Sequence, residues 1–400
     1  MKTIPRLTSC DIYIILWLLY NLQGVLYPSG GLISQGLLAI ILIWSILNYI
    51  QLYTEDYTKP VYFKGFNALV LIFTVYGLLL LIMGNELYIT EGAIQKVRNF
   101  GYLKGIYSSF LPIFSFYLFA QKGRLTESSL KRWFYIFMIV GVFQFVRVQR
   151  EALLAAMMQI RTPEGITNNS GYIFVSLIPG LLLLRKKPII QYIGLAVCMF
   201  FILTSMKRGA IIVGALMVLL FFSYQLRFSS GKKKFGVSLL VILICIAAYF
   251  GVDYLLNNND YFYSRIQATL EGNSSNRGEI YSSLWHAFVY DSSLLQMLFG
   301  RGAWGTLTVS SNFAHNDWLE ILTNQGLLGI SVFIYYWICF LKNCKKEYLP
   351  SESRICLYMI LLMCFTKTIF SMSYSDMSIY STSILGLCLA GGIGKSSTNA

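Results

Sequence analysis

The sequence predicts an all-α polytopic membrane protein. Hydrophobic residues make up 56% of the 400 residues and charged residues only 12%, whereas soluble domains carry about 25% charged residues. The apolar residues gather in repeated runs of about 18 residues, close to the length that a helix needs to cross a bilayer. The net charge of +14 comes from short basic clusters between these runs, so it indicates membrane topology rather than a nucleic-acid-binding face.

The apolar runs predict about 12 transmembrane helices. We expect helices 1–9 within residues 1–253, a long periplasmic loop with a short helix at 254–312, and helices 10–12 with a cytoplasmic tail within 313–400. The predicted spans are about 11–27, 32–52, 65–84, 105–120, 133–148, 170–184, 188–205, 210–226, 235–255, 316–341, 355–371 and 377–392.

Polar links, prolines and glycines mark the ends of the first five spans. The first span ends at Pro28, and TEDYTKP separates the second from the third. The link 85–104 is polar and mixed in charge, and QKGRLTESSLKR precedes the fifth span. A second sizeable polar loop covers 147–169. Because proline and glycine interrupt helices, these segments are predicted to lie outside the bilayer.

Basic clusters mark the ends of the next three spans. The sixth span stops at RKKP (185–188), the seventh ends at a very short MKRG turn (206–209), and RFSSGKKK separates the eighth from the ninth. The first apolar run lacks a small-residue cleavage site after it, so we expect it to remain as a helix.

The distribution of Lys and Arg predicts the orientation. With the N-terminus in the cytoplasm, 20 of the 32 Lys and Arg residues lie in cytoplasmic links, 11 lie on the opposite side, and Lys367 lies within a span. Since cytoplasmic links carry the excess of positive charge, both termini are predicted to be cytoplasmic. The long loop and the turn at Lys207 then face the periplasm.

The stretch from Arg301 to Gly329, RGAWGTLTVSSNFAHNDWLEILTNQGLLG, passes from a glycine-rich turn into an apolar helix. Glycines at 300, 302 and 305 permit an irregular backbone there. Asn316 or Asp317 can cap the helix, just after His315. A helix N-terminus suits an anionic ligand, although a histidine before a helix is often only a capping or packing residue.

This pattern resembles the O-antigen polymerase and ligase superfamily, whose members are polytopic glycosyltransferases acting on polyprenyl-diphosphate-linked glycans. The resemblance covers about thirty residues. The matching positions are Gly300, Gly302, His315, Asn316, Leu319, Glu320, Gly326, Leu327, Leu328 and Gly329. It implies a GT-C-like helical bundle and inverting transfer of a glycan from undecaprenyl diphosphate at the periplasmic face.

Three basic residues are predicted to bind the substrate diphosphate. Lys207 and Arg208 stand at an outer turn, where positive pairs are disfavoured, and they match a Ser-x-x-Arg-Gly-like signature of the superfamily. The resemblance also implies an Arg that opens a short extracytoplasmic helix, and Arg277 fits. The alternatives are that the pair caps a helix end and that Glu279 merely pairs with Arg277. Tyr281 lies one turn after Arg277, on the same helical stripe.

The chain has two histidines, so the choice of a general base is narrow. His315 matches the motif, whereas His286 lies nine residues after Arg277 and would face the opposite side of a helix. We therefore predict that His315 is catalytic, with Asn316, Glu320 and Tyr281 orienting the substrate. Glu320 could instead be only a helix-dipole residue. Lys367 would be costly in a span unless it is paired, with Asp376 as the proposed partner.

The sequence contains no Walker A loop, no GxGxxG and no DxD-like carboxylate pair, so we expect no cofactor and no metal. The favoured function is a surface-polysaccharide repeat-unit polymerase in the bacterial inner membrane. The alternatives are a ligase that transfers glycan to lipid A–core and, in another class, a polysaccharide flippase. The expected partners are an undecaprenyl-diphosphate-linked oligosaccharide, membrane lipid, a chain-length regulator and a flippase, with no nucleic acid. Spans nearly free of charge and without internal repeats favour the enzyme over a transporter.

Overall fold

A computed structural model of the chain describes residues 7–90, 93–148, 170–205, 207–258, 263, 267, 277–371 and 378–394. The elements in chain order are α1 (Ser9–Asn21), α2 (Leu32–Thr54), α3 (Tyr62–Met83), β1 (Asn85–Thr90), β2 (Ala93–Val97), α4 (Gly101–Phe110), α5 (Pro112–Gln121), α6 (Glu127–Val148), α7 (Gly171–Leu177), a 3-10 helix (Ile178–Leu184), α8 (Pro188–Thr204), α9 (Arg208–Phe228), α10 (Gly231–Asn258), α11 (Arg277–Val289), α12 (Leu294–Phe299), a second 3-10 helix (Gly305–Thr308), α13 (Asp317–Cys344), α14 (Ser351–Phe370) and α15 (Ile379–Leu389).

Among the described residues, six helical segments are long and apolar enough to cross a membrane. They are Leu32–Thr54, Tyr62–Met83, Gly101–Gln121, Glu127–Arg147, Arg208–Phe228 and Asp317–Cys344. Shorter apolar helices occur at Ser9–Asn21, Gly171–Leu184, Pro188–Thr204, Lys234–Leu243 and Ile379–Leu389. These helices agree with the predicted all-α polytopic membrane protein, whereas the number of about 12 spans and the periplasmic loop stay predictions.

The chain divides into two compact units built from non-consecutive segments. The first unit comprises Met1–Asn21, Gly30–Glu127 and Ser275–Ala400, and the second comprises Leu22–Ser29 and Ser128–Ser274. The sequence analysis divided the chain at 253 and 312 into membrane helices and an extramembrane loop. The two compact units do not test membrane placement, so that division stays a prediction.

Close contacts between helices hold the first unit together. A Cβ added to Gly65 of α3 would lie 2.6 Å from the Cα of Tyr336 in α13, and a Cβ added to Gly386 of α15 would lie 2.6 Å from the Cβ of Phe116 in α5. Small residues let helix backbones approach in this way within membranes. Aromatic rings fill the space beside the first crossing, with Tyr62 and Phe340 centroids 4.9 Å apart. The C-terminal half of α13, the helix that begins just after His315, is therefore packed closely against α3.

The second unit is organised around α7, α8 and α9. A Cβ on Gly171 would lie 2.3 Å from Ser205 Oγ, and one on Gly214 would lie 3.1 Å from the side chain of Ile202. The rings of Phe174 and Phe201 stack with centroids 4.6 Å apart. This packing holds the end of α8 close to the start of α9, where Lys207 and Arg208 lie.

The link between α3 and α4 forms an antiparallel β-hairpin that the sequence analysis treated only as a polar link. Glu86 pairs with Lys96 and Tyr88 pairs with Ile94 across the two strands. Asn85 Nδ2 donates hydrogen bonds to the carbonyl oxygens of Arg301 (3.2 Å) and Ala303 (3.0 Å). The hairpin is therefore attached to the glycine-rich loop that precedes His315.

α13 is broken at Gly326, where φ is 66° and ψ is −159°. Gly300, with φ of 75°, lies against this break: a Cβ there would lie 2.4 Å from the carbonyl carbon and oxygen of Asn324. The carbonyl oxygens of Thr323 and Asn324 accept hydrogen bonds from the backbone N–H groups of Arg301 (2.8 Å) and Gly302 (3.0 Å). The first and later glycines of the motif thus form one structure, in which the loop 300–302 packs into the helix break.

Gly326→Ala is expected to destabilise the protein markedly. A non-glycine residue in the left-handed region costs about 1–2 kcal/mol. The new Cβ would also lie 2.6 Å from the backbone nitrogen of Gly300, and such overpacking costs about 1–3 kcal/mol more. A lower thermal midpoint of the purified protein checks this. The control is Gly105→Ala in α4, where the Cβ meets no atom within 4 Å; equal midpoints for the two variants would contradict the prediction.

Candidate functional site

His315 stands in a strained backbone conformation just before α13. Its φ is 50°, and it is one of two non-glycine residues with positive φ in the described ranges, the other being Trp304. The side chain of His315 is exposed, whereas the preceding Ala314 is 0% exposed. A left-handed conformation costs about 1–2 kcal/mol for a residue with a Cβ, and such strain is concentrated at functional sites. The structure therefore presents the imidazole at the protein surface from a fixed turn.

Asn316 caps α13, which confirms the first of the two predicted capping residues. Its Oδ1 accepts hydrogen bonds from the N–H groups of Trp318 (3.0 Å) and Leu319 (3.2 Å). Its Nδ2 donates to the carbonyl oxygen of Ile369 at 3.4 Å. The residue after His315 is thus tied both to its own helix and to the end of α14.

Arg277, Tyr281 and Asn316 come together in the structure. The described part of α11 begins at Arg277, and Tyr281 follows one turn later. Burial raises the pKa of Tyr281, while the neighbouring Arg277 and hydrogen bonds with Asn316 and Arg277 oppose that rise. A side chain that donates a hydrogen bond to the phenolic oxygen lowers the pKa of a tyrosine, because it stabilises the phenolate. Three of the predicted site residues therefore form one chain of contacts that ends beside His315.

Arg277 occupies a position that is electrostatically unfavourable for a cation in isolation. It is the first described residue of α11, and the N-terminal end of a helix carries partial positive charge that disfavours Lys and Arg. The same charge and the free N–H groups favour an anion. A half-buried arginine at this position is therefore suited to an anionic group that contacts both the guanidinium and the helix end.

Lys207 and Arg208 repeat this arrangement in the second unit. Lys207 is the N-cap of α9 and Arg208 is its first residue. Both side chains are half-buried, and the Lys207 N–H donates to Ser205 Oγ at 3.3 Å. A helix start carries partial positive charge and free N–H groups, so two cations at this position are suited to an anionic ligand. Their approach to His315 stays a prediction.

Glu320 is fully buried and serves the loop around His315. Its Oε1 accepts from Thr306 Oγ1 at 2.5 Å and from Asn324 Nδ2 at 3.2 Å. Its Oε2 accepts from the N–H of Ala314 at 3.0 Å. The side chain is 0% exposed, so these contacts make Glu320 a residue that fixes the segment before His315. The predicted contact with a sugar hydroxyl stays a prediction.

Thr306 and Asn324 belong to the same network, and the sequence analysis did not single them out. Asn324 Oδ1 accepts from the backbone N–H of Thr306 at 2.9 Å, and both residues are 0% exposed. Their spacing carries no recognisable pattern, because the loop and the helix meet only through the break at Gly326. The one sequence signal that could have indicated the network is a polar residue, Asn324, within an otherwise apolar helix.

His286 lies in an exposed setting on α11. Its Nδ1 lies 3.3 Å from Asp291 Oδ2, and the two side chains are 63% and 58% exposed. Exposed pairs of this kind contribute little to stability. The structure thus gives His286 a surface partner, while Tyr281 of the same helix contacts both Asn316 and Arg277.

Lys367 lies at the junction of α14 and α13 and is 9% exposed. Asp317, the first residue of α13, is 0% exposed, and the charges of both residues act on the Cys364 thiol. Trp318 Nε1 donates to Thr368 Oγ1 at 3.0 Å and closes the junction. The proposed partner Asp376 lies outside the described residues. Asp317 and Lys367 therefore both lie near Cys364 at this junction.

No group of three or more His, Cys, Asp or Glu side chains that could hold a metal ion occurs in the described segments. The predicted independence from metal stays a prediction. The contacts described above are made by arginine, tyrosine, asparagine and backbone groups, which bind anions and hydroxyls without a cation.

A family model described as O-antigen ligase matches residues 193–334. This range begins in α8 and ends in α13, and it confirms the superfamily resemblance that the motif indicated. It contains all the predicted site residues: Lys207, Arg208, Arg277, Tyr281, His315, Asn316 and Glu320. A search of curated proteins found no match.

Proposed function

We propose that this chain, similar over part of its length to the O-antigen ligase family, is a membrane glycosyltransferase that polymerises glycan repeat units. It would transfer a glycan from undecaprenyl diphosphate to a sugar hydroxyl of another lipid-linked repeat unit. The reaction would take place at the periplasmic face of the bacterial inner membrane, with both termini in the cytoplasm.

One observation carries this proposal: an exposed histidine is held in a strained turn beside a chain of contacts that ends in an arginine. His315 has φ of 50°, and its neighbour Asn316 reaches Arg277 through Tyr281. Glycosyl transfer from a diphosphate needs a base for the attacking hydroxyl and a cation for the leaving group. The first unit supplies both types of group in neighbouring segments.

The proposed reaction is a single displacement at the anomeric carbon. The acceptor hydroxyl oxygen forms a bond to that carbon while the bond to the diphosphate oxygen breaks, which inverts the configuration. Neutral His315 takes the hydroxyl proton, as a general base does, and releases it afterwards to the solvent. The bonding electron pair leaves with the undecaprenyl diphosphate.

Arginines stabilise the charge that develops on the leaving diphosphate. Arg277 can form two parallel hydrogen bonds with phosphate oxygens, and its charge is permanent. Arg208 and Lys207 are proposed to act in the same way at the start of α9. Preorganised donors directed at a developing negative charge are commonly the largest contribution to catalysis, so no metal is required in this scheme.

An O-antigen ligase is the second candidate, since the matching family model carries that description. The two reactions share the donor and the base and differ in the acceptor, which would be lipid A–core in the ligase. The contacts of His315 and Arg277 serve both reactions equally. The acceptor must therefore be identified by its product.

Deletion of the gene is expected to leave single repeat units attached to the lipid core, because ligation proceeds without polymerisation. The glycan attached to lipid A–core and the glycan on the lipid carrier would be resolved by gel electrophoresis and mass spectrometry. Complementation with the wild type should restore long chains, and His315→Ala at equal membrane abundance should not. Bare core together with long glycan on the carrier would instead identify the ligase.

A further inference from the structure

A polar cleft lies between the β-hairpin and the loop that precedes His315. Its volume is about 310 Å³, at the lower end of the range of about 300–1,000 Å³ for small-molecule sites. It lies within the first unit, and neither His315 nor Arg277 is among its lining residues. The lining residues are Asn85, Glu86, Tyr88, Ile94, Gln296, Arg301 and Thr308.

The hairpin contributes an aromatic ring and a carboxylate to one wall. Glu86 and Tyr88 are two residues apart on β1, so their side chains lie on the same face of the hairpin. Neither the Glu86 carboxylate nor the Tyr88 hydroxyl forms a hydrogen bond with a described residue. This wall therefore presents an acceptor, a hydroxyl and an aromatic face to a ligand.

Arg301 also lines the cleft and is held in place by one of its nitrogens. Its Nη2 donates to the carbonyl oxygen of Ala287 at 3.1 Å and to Ser292 Oγ at 3.3 Å. The other guanidinium nitrogens have no hydrogen-bond partner in the described part of the chain. A guanidinium has five N–H donors, so Arg301 can bind a ligand without giving up its structural contacts.

This combination fits a saccharide better than a phosphate. Each sugar hydroxyl both donates and accepts, and the cleft offers acceptors on Glu86 and donors on Arg301. An aromatic ring such as that of Tyr88 covers the apolar face of a pyranose. The Glu86 carboxylate would repel a diphosphate, whose charge is better met at the start of α11.

The cleft is connected to the turn at His315 by short contacts. Thr308, in its wall, belongs to the same 3-10 helix as Thr306, which donates to Glu320. Glu320 in turn accepts from Ala314, the residue before His315. A glycan bound in the cleft would therefore have a fixed position relative to the base.

From these observations we propose that the hairpin cleft binds a saccharide unit of the glycan remote from the bond that reacts. This inference rests on the proposed function for the identity of the glycan. The cleft would hold the substrate by its sugar portion, in addition to the contacts that Arg277 makes with the diphosphate.

The test measures binding rather than activity. The probe is the lipid-free oligosaccharide repeat unit released from the host's own polysaccharide, titrated into the full-length protein in nanodiscs and followed by saturation-transfer NMR. Tyr88→Ala should weaken binding by about tenfold, since an aromatic face and a hydroxyl are lost together. Glu86→Ala should also weaken binding. Because Glu86 is exposed, this substitution should leave the hairpin folded, so it tests the cleft even if Tyr88→Ala disturbs the fold.

Two control variants separate the cleft from the catalytic proposal. Gln95→Ala changes an exposed hairpin residue outside the cleft and should bind normally. His315→Ala should also bind normally while it loses polymer formation. Normal binding by both Tyr88→Ala and Glu86→Ala, or no binding to the wild type, would overturn the cleft proposal alone. Full polymer formation by His315→Ala, with weakened binding in the cleft variants, would overturn the proposed catalytic role alone.

Discussion

His315→Ala is expected to abolish polymer formation while the protein remains in the membrane at its normal abundance. Loss of a general base commonly costs about 10²–10⁴-fold in rate, which is enough to remove detectable long-chain glycan. The measurement is polymer per unit of membrane protein in a deletion strain. His286→Ala is the matched control, since His286 is exposed and contacts the exposed side chains of Asp291 and Tyr290.

The backbone at His315 permits a sharper version of this experiment. Asn and Gly both tolerate the left-handed conformation, so His315→Asn and His315→Gly preserve the turn and remove the imidazole. If the residue served only to form the turn, these variants would remain active. We expect both to be inactive, with thermal midpoints no lower than that of His315→Ala. An active His315→Asn, or an inactive His286→Ala, would mean that the base lies elsewhere.

Arg277→Ala is expected to reduce glycosyl transfer by about 10²–10³-fold, the loss seen when one donor to a developing negative charge is removed. Arg277→Lys should recover only part of the activity, because a point charge replaces two parallel hydrogen bonds. The measurement is transfer by purified protein with lipid-linked repeat units as substrate. Arg98→Ala is the control, since Arg98 is exposed in the link after the hairpin.

Tyr281→Phe distinguishes binding of the diphosphate from positioning of Arg277. The substitution keeps the ring and removes the hydroxyl that links Arg277 to Asn316. We expect a loss smaller than that of Arg277→Ala. Wild-type activity in Arg277→Ala would contradict the assigned diphosphate contact, whereas wild-type activity in Tyr281→Phe alone would show that Arg277 holds its position without the link.

Much of the local structure of the site could be predicted from the sequence. Local rules place Asn316 as a helix cap, start a helix at Arg277 and put Tyr281 on the same stripe, because capping and helical spacing depend on near neighbours. The burial of Glu320 was not predictable in this way. Its partners Thr306 and Ala314 approach it only when the loop packs into the break in α13.

Two elements of the fold were missed for different reasons. The hairpin carries a strand signal in LYIT and a glycine at 92, but its polar residues favoured a link between spans. The break at Gly326 lies in an apolar run that predicts a continuous helix, and one glycine inside such a run is a weak signal. The sequence analysis also predicted one span at about 105–120, whereas the structure divides 101–121 into α4 and α5. Pro112, which starts the second helix, was the sequence signal for that division.

The glycine break in α13 also sets the smallest segment that could be exchanged between this chain and a relative. The side chains of Glu320 and Asn324 in α13 accept hydrogen bonds from Thr306 in the loop, so the helix and the loop complete each other's hydrogen bonds. A chimera that received only the helix or only the loop would bury polar groups without partners, at about 1–3 kcal/mol each. Recombination within this region should therefore succeed only when residues 300–329 are transferred as one block.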